Sequence, residues 1–461
     1  MTASLLRLAW PVFVGQLAVI LNGVIDTVMA GRLSAVDVAA VGLGASIYIT
    51  VYVSLMGVLL ALTPIAAQHW GANRRDLIPI ATGQAIWLAL ALTLPGCLAL
   101  AWTEPWLAFA RPPEEVAATT RQYLVAVAIG LPAAMLFRVF YALSNAIARP
   151  GTVMAINLAC LSLKIPLNIL FMQGWQTPDG TILIPALGGA GTGVATAIVL
   201  WLSLLLAIAA LRLQPIFRAL RIRWPIRPDR AQMREILQLG MPIGAAYLVE
   251  ISSFTFMALF VAHLGATVAA SHQIAMNLAA LAYMVPLALA NAASTLVAQS
   301  IGAGQPHRAI AYGQRGMRLA AVIAAAMAAG LWLSSVPIAR FYTTDPAVVA
   351  AAASLIVLMA VFHLFDALQC MATFVLRAHR ITTLPMLVYL VCLWGIGLAG
   401  GWWLALVVGT GAAGFWSASA AGLCAAALAL WRILLRTQRQ LVQTGGGRPS
   451  GSTTGLAGSR N

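Results

Sequence analysis

The chain reads as an all-α polytopic membrane protein, with twelve transmembrane helices in two pseudo-symmetric six-helix bundles around a central cleft. Three observations predict this. Of its 461 residues, 61% are hydrophobic and 8% charged, which excludes a string of soluble domains. Apolar runs of about 20 residues, the length a helix needs to cross a bilayer, recur from end to end. The two halves also repeat at a constant offset of 231. Pro11 falls on Pro242, Leu33 on Leu264 and Tyr52 on Tyr283. Gln68, Gly71 and Ala72 fall on Gln299, Gly302 and Ala303, and Arg149 and Thr152 on Arg380 and Thr383. Six spans, an even number, separate equivalents, so the repeats are parallel and their axis lies along the membrane normal.

In order, spans are expected near 5–30, 40–68, 78–103, 122–147, 152–173, 188–211, 236–262, 269–299, 313–338, 347–376, 382–407 and 410–436. Residues 1–213 then form the N-terminal bundle and 235–437 the C-terminal one. Between them, 214–234 carries three prolines and a dense Arg cluster and reads as a basic linker that also meets anionic headgroups. Residues 438–461, rich in Gly and Ser towards the end, read as a flexible tail. Arg7 leads straight into a full-length span with no cleavage motif, so the first helix is expected to act as its own insertion signal.

The net charge of +15 does not mark a nucleic-acid binder, because its distribution is topological. With the N-terminus inside, 21 of the 26 Arg fall in inner loops and termini and four outside (Arg32, Arg111, Arg121, Arg340). Both termini and the linker are therefore expected to be cytoplasmic, in a multi-pass protein of a bacterial inner membrane. Cys97, Cys160, Cys370, Cys392 and Cys424 all lie inside apolar runs without metal-ligand spacing and read as inert thiols. Trp102, Trp106, Trp402 and Trp403 read as an interfacial aromatic belt.

Three of the twelve acidic residues sit inside spans: Asp26, Glu250 and Asp366. A carboxylate at such depth needs a partner, an ion or water, which makes all three candidates for function. The repeat does not explain them, since they align with Met257, Val19 and Met135. At 1.5 Å per residue, Glu250 lies about 24 Å from Arg234 and Asp366 about 16 Å from Arg377, so both reach the middle or outer core of one bundle. Two carboxylates there share a proton or bind a cation, and Tyr283 offers a phenol oxygen as a further ligand. Pairing with Asn277 or His363 is the structural alternative. In the other bundle Asp26 has Asn22 one turn earlier, and Lys164, the only lysine, has Asn168 one turn later. A buried Asp26–Lys164 ion pair and a site that changes protonation or meets substrate both fit. Arg138 is the other cation within a span and is expected to snorkel inward. The remaining histidines sit near span ends and read as bland.

There is no phosphate-binding Gly-Lys loop, no metal-spaced His/Glu set and no intramembrane protease motif. A chain that hydrolyses ATP by itself is excluded, no cofactor is implied, and no enzyme is expected.

Five stretches resemble a known family. NGVIDTVMAGRLSAVDVAAVGLG, QHWGANRR, IPLNILF, LGGAGTGVATA and AASHQIAMNLAALAYMVPLALANAAS are similar, in that order, to motifs of multidrug and toxic compound extrusion (MATE) transporters. The likeness covers about residues 1–437, and the carboxylate pattern resembles the NorM-type branch. The resemblance implies an antiporter that exports cationic amphiphilic organic molecules against inward Na⁺ or H⁺ flow, and a monomer is expected. It also implies coupling through Asp26, Glu250 and Asp366, with Tyr283 at a cation-associated position. Na⁺ ligated by Glu250 and Asp366 is the first reading, and H⁺ the second. A lipid-linked oligosaccharide flippase of the same superfamily remains as an alternative, and an intramembrane enzyme as a remote one.

The topology is checked by single-cysteine labelling at Thr437 and Ala219 in intact cells. Both sites should be protected from an impermeant reagent, and labelling of either from outside overturns the orientation.

Overall fold

A computed structural model describes residues 1–179, 181–222 and 225–445. Twelve of its helices are long and apolar enough to span a membrane. In the first half they are α1 (Thr2–Leu33), α2 (Ala35–Gly71, interrupted at Leu60 and Ala61), α3 (Leu77–Ala101), α4 (Glu114–Ala146), α5 (Pro150–Gln173) and α6 (Ala190–Leu213). In the second they are α7 (Arg230–Ala262), α8 (Ala266–Gly302), α9 (Pro306–Leu333), α10 (Pro346–Ala378), α11 (Thr383–Val407) and α12 (Ala412–Gly445). The α5–α6 connection carries a small hairpin, β1 (Trp175–Gln176) against β2 (Ile182–Ile184).

Each predicted span has its helix, and the boundary differences have local causes. The linker ends early, because Asp229 caps α7 by accepting from the amides of Ala231 and Gln232. It is also docked rather than free. The fully buried Gln84 of α3 donates to the Arg227 carbonyl at 3.0 Å and accepts from the Asp229 amide at 2.9 Å. At the other end α12 continues to Gly445, past the expected boundary at 437, and Gln438 within that extension is buried. Arg223 and the tail beyond 445 lie outside the described residues. Two stretches of α11, Leu390–Ala399 and Trp403–Val407, are wound as π-helix. From the first, Trp394 Nε1 donates to the Val249 carbonyl on α7 at 3.2 Å, and the Leu393 carbonyl accepts from Ser253 Oγ at 3.4 Å.

In lipid, helices gain little from hydrophobicity against one another, so close approach through small residues and satisfied polar groups hold them together. Tyr123 of α4 illustrates the first. A Cβ on Gly44 of α2 would lie 2.4 Å from its ring, and one on Gly193 of α6 would lie 2.9 Å from it. Asp37 illustrates the second: its Oδ1 accepts from the Gly189 amide at 2.6 Å, at the amino end of α6, where anions are favoured. A side chain on Gly189 would fall 2.8 Å from the same oxygen.

The halves meet along α2 against α7, and a Cβ on Gly57 would lie 2.5 Å from the Gly244 Cα. At the Arg-rich end the ends of α2 and α8 cross, and this crossing obeys the repeat. Gln68 Nε2 donates to the Ala378 carbonyl at the end of α10 at 2.9 Å. Gln299 Nε2 donates to the Ala146 carbonyl at the end of α4 at 2.8 Å. A Cβ on Gly71 would lie 1.9 Å from the Gln299 oxygen, and one on Gly302 the same 1.9 Å from the Gln68 oxygen. The matched Gln and Gly pairs of the repeat are thus the contact that closes this end of the cleft.

Gly71→Ala and Gly302→Ala should each force the crossing apart, at about 1–3 kcal/mol of overpacking. A spin-label pair at Arg74 and Gln305 should shift to longer distance, and an unchanged distribution with unchanged thermal stability refutes this account of the closure.

Candidate functional site

The three intramembrane acids occupy different environments. Asp26, on α1, is buried and satisfied. Its Oδ1 lies 3.0 Å from Lys164 Nζ and accepts from Asn168 Nδ2 at 2.7 Å, while Oδ2 accepts from Thr196 Oγ1 at 3.4 Å. Lys164 is 1% exposed and finds two further acceptors in α6, Thr196 Oγ1 at 2.5 Å and the Thr192 carbonyl at 3.3 Å. An ammonium has three N–H donors, and here each has an oxygen. Lys164 and Asn168 lie one turn apart on α5, which is how both reach one carboxylate. The expected Asn22 does not join them. Its amide donates to the Ala18 carbonyl at 2.8 Å, and its oxygen is buried without a partner. The missing partners were Thr192 and Thr196, which lie inside the LGGAGTGVATA stretch.

Glu250 is half-buried near the middle of α7, and no described residue offers it a hydrogen bond or an ion pair. Asp366 of α10 lies within its electrostatic reach, as does Arg377. Asp366 Oδ1 accepts from Gln369 Nε2 at 2.9 Å, and Gln369 Oε1 in turn accepts from the Tyr389 hydroxyl of α11. Tyr283 of α8 accepts from Cys370 Sγ at 3.6 Å and feels both carboxylates. The fold therefore gathers Glu250, Asp366 and Tyr283 in one bundle. Neither structural alternative supplies a partner: Asn277 accepts from Gln273, and the buried His363 Nε2 has no hydrogen-bond partner. Among the described residues no cluster of three His, Cys, Asp or Glu is placed to hold a metal ion.

Two basic residues depart from expectation. Arg138 does not snorkel away. Its Nε and Nη2 donate to the Tyr52 hydroxyl at 3.3 and 3.1 Å, and its guanidinium lies 4.6 Å from the Tyr141 ring centre. Arg377, counted as a loop residue by position, is in the last turn of α10 and is 7% exposed. Its Nη1 donates to the Tyr247 hydroxyl at 3.3 Å, and its guanidinium lies 4.4 Å from the Phe374 ring centre. His272, in the second turn of α8, is 2% exposed, and its Nδ1 accepts from Trp416 Nε1 at 3.3 Å.

Removing one member of the Asp26–Lys164 pair strands the other charge. Lys164→Met should destabilise by about 3–5 kcal/mol, and Lys164→Met combined with Asp26→Asn by clearly less than the two single losses together. Additive losses in that cycle, measured by thermal unfolding in detergent, refute the pairing.

Comparison with known proteins agrees with this architecture. The MatE family model matches residues 11–170 and again 242–403, two segments that start 231 residues apart. The chain is 41% identical over 446 residues to a probable multidrug resistance protein NorM of Aromatoleum aromaticum, with 95% of each chain covered. It is 37% identical over 447 residues to multidrug resistance protein PmpM of Pseudomonas aeruginosa, covering 95% of this chain and 92% of that one. The fold matches that of the eukaryotic MATE transporter AtDTX14 with a TM-score of 0.85 at 18% identity, covering 96% of this chain and 98% of that one. It also matches an outward-facing MATE family transporter with a TM-score of 0.83 at 16% identity, covering 96% of both. A match in both halves, with relatives this similar over nearly their whole length, shows that the chain belongs to the MatE family, a family of transporters and not of enzymes.

Proposed function

We propose that the chain is a secondary active multidrug efflux antiporter of the bacterial inner membrane. Both termini lie in the cytoplasm, and cationic amphiphiles leave as a monovalent cation enters. The relatives named as multidrug resistance proteins support the drug-export part of this reading. The single observation that carries the coupling part is Glu250, a half-buried acid in mid-span with no hydrogen-bond or ion-pair partner among the described residues, beside Asp366 and Tyr283.

The physical argument starts from repulsion. Two carboxylates in one apolar bundle cannot both stay ionised cheaply. Na⁺ ligated by the pair and the Tyr283 oxygen removes the repulsion without protonation, and a proton taken up by the pair does the same. The geometry is shared by both ions, with Na⁺ the first reading. An inward-moving monovalent cation gains about 2.3 kcal/mol per 100 mV, besides its concentration term. To drive drug outward, the drug must bind best when the cation site is empty, so the two ligands oppose each other. Asp26 differs because Lys164, Asn168 and Thr196 already satisfy it, and its role in the N-terminal bundle is to hold α1, α5 and α6 in register.

The experiment is drug transport in proteoliposomes under independently imposed Na⁺ and pH gradients. Glu250→Gln keeps size but removes charge, and should reduce gradient-driven efflux at least about tenfold while drug binding remains measurable. If Glu250→Gln and Asp366→Asn both transport at the parental rate with the parental ion dependence, the assignment is wrong.

A further inference from the structure

The two hydrogen bonds of the closed end obey the repeat, and the layers beneath them break it. Thr295 stands one turn before Gln299 on α8, with Asn291 a further turn back and Asn145 next to Ala146 on α4. At the 231 offset these three correspond to Pro64, Leu60 and Leu376. The bond from Gln299 to the Ala146 carbonyl therefore lies over a polar layer, and its mate from Gln68 to the Ala378 carbonyl over an apolar one.

The polar layer is also incompletely filled. One cavity lies between the bundles, bounded by Leu8 and Val12 of α1, Asn145 of α4, and Asn291 and Thr295 of α8. A second lies within the first bundle, bounded by Val12 and Gln16 of α1, Tyr141 and Asn145 of α4, and Asn157 of α5. Asn145 is a wall of both, and each has room for a water molecule and little more. Asn145 is 4% exposed, and its buried Nδ2 has no hydrogen-bond partner. Tyr141, one turn earlier, approaches it without the geometry of a bond. Asn157 and Asn291 spend their amide groups on the Gly15 and Leu287 carbonyls at 3.1 and 2.9 Å, which leaves their oxygens to accept. Each cavity thus offers an unused donor beside acceptors, which is what an internal water needs, whereas an apolar cavity of this size stays dry.

We propose that both cavities are internal water sites bonded to Asn145, and that this hydrated corner between α1, α4 and α8 is the route by which the coupling cation leaves for the cytoplasm. The route rests on the antiport reading above; the water sites do not. When the bundles part, an apolar layer has to be wetted from dryness, and a narrow apolar constriction holds ions back for as long as it stays dry. The Asn145 corner is already past that step, since its waters need only join those of the cytoplasm. A cation passing there exchanges water for the oxygens of Asn157, Asn291 and Thr295. The equivalent layer of Leu60, Pro64 and Leu376 has no side-chain oxygen to offer, so an ion would lose hydration there without replacement.

The test needs neither drug nor gradient. Hydroxyl-radical footprinting with X-ray pulses marks buried side chains that touch internal water. Tyr141, 7% exposed and beside a cavity, should be modified severalfold more than Tyr123, which is 3% exposed and borders neither cavity. Asn145→Leu should remove most of that difference. Thr295→Val, which keeps the shape and deletes a hydroxyl, should lower the modification of Val12, the α1 wall of the same cavity, and keeps the test readable if Asn145→Leu does not fold. The route is read at two alanines that are equivalent in the repeat, Ala292 at 2% exposure beside the cavity and Ala61 at 0%. In inside-out vesicles a small impermeant cationic thiol reagent should reach Ala292→Cys at least about tenfold faster than Ala61→Cys, each measured above the labelling of the parent. Modification of Tyr141 no greater than that of Tyr123 overturns the water sites, and equal thiol rates at the two positions overturn the route. Failure of the antiport reading appears instead as missing gradient-driven efflux and leaves both measurements readable.

Discussion

Everything polar in this chain is arranged around one constraint, that charge inside an apolar bundle must be compensated. The N-terminal half meets it internally. Asp26 and Lys164 neutralise each other, and Asn168, Thr192 and Thr196 take up the remaining hydrogen-bonding capacity. Such a pair adds little net stability over an apolar core, and its consequence is geometric: it fixes α1, α5 and α6 to one another. The C-terminal half meets it only in part, with Arg377 within electrostatic reach of Glu250 but not bonded to it. Among the described residues Glu250 has no donor and Asp366 has one, which leaves both carboxylates open to the exchangeable cation proposed above. The proposed exchange of ions for cargo would use that difference between the halves.

The repeat and its violations divide the sequence into scaffold and chemistry. Residues that match across the offset of 231 turn out to build the shared mechanical parts, above all Gln68 with Gln299 and Gly71 with Gly302 at the closed end. Residues that break it, Asp366 against Met135 and Gln369 against Arg138, carry the charge differences. This division was legible in the sequence because Pro, Tyr, Gln, Gly and Arg rarely align by chance in so apolar a chain. The twelve spans were legible for a simpler reason, since lipid requires an apolar run of fixed length. The three intramembrane acids stood out because nothing else in those runs is charged.

What was not legible was partnership. Asn22 shares a helix face with Asp26, yet the helix satisfies its amide locally through the Ala18 carbonyl, and the partners come instead from α5 and α6. Thr192 and Thr196 were visible only as members of a motif, and their hydroxyl and carbonyl roles depend on where α6 packs. The same packing explains the motif's glycines, since Gly189 admits Asp37 and Gly193 admits the Tyr123 ring. Arg377 was misplaced because span ends are uncertain by a turn, and one turn decides whether an arginine faces water or the bundle. The length of α12 was missed because residues beyond 437 carry too many polar groups to read as a span, although they continue the helix.

The closed end has a strength suited to a cycle. Its hydrogen bonds are two amide-to-carbonyl contacts, each contributing about 0.5–1.5 kcal/mol net. The two crossing glycines add close backbone contact, which holds one arrangement and is lost altogether when the helices part. Moving a two-state equilibrium from one side to the other takes about 5.5 kcal/mol of differential binding. One cation entering across 100 mV supplies about 2.3 kcal/mol before its concentration gradient is counted. In the proposed antiport cycle, a latch of a few kcal/mol is within the range that one or two ions and the cargo can shift, whereas a hydrogen-bonded network as dense as that around Lys164 is not. In that cycle the contrast matches where the polar density lies: high inside the N-terminal bundle and sparse where the two bundles meet.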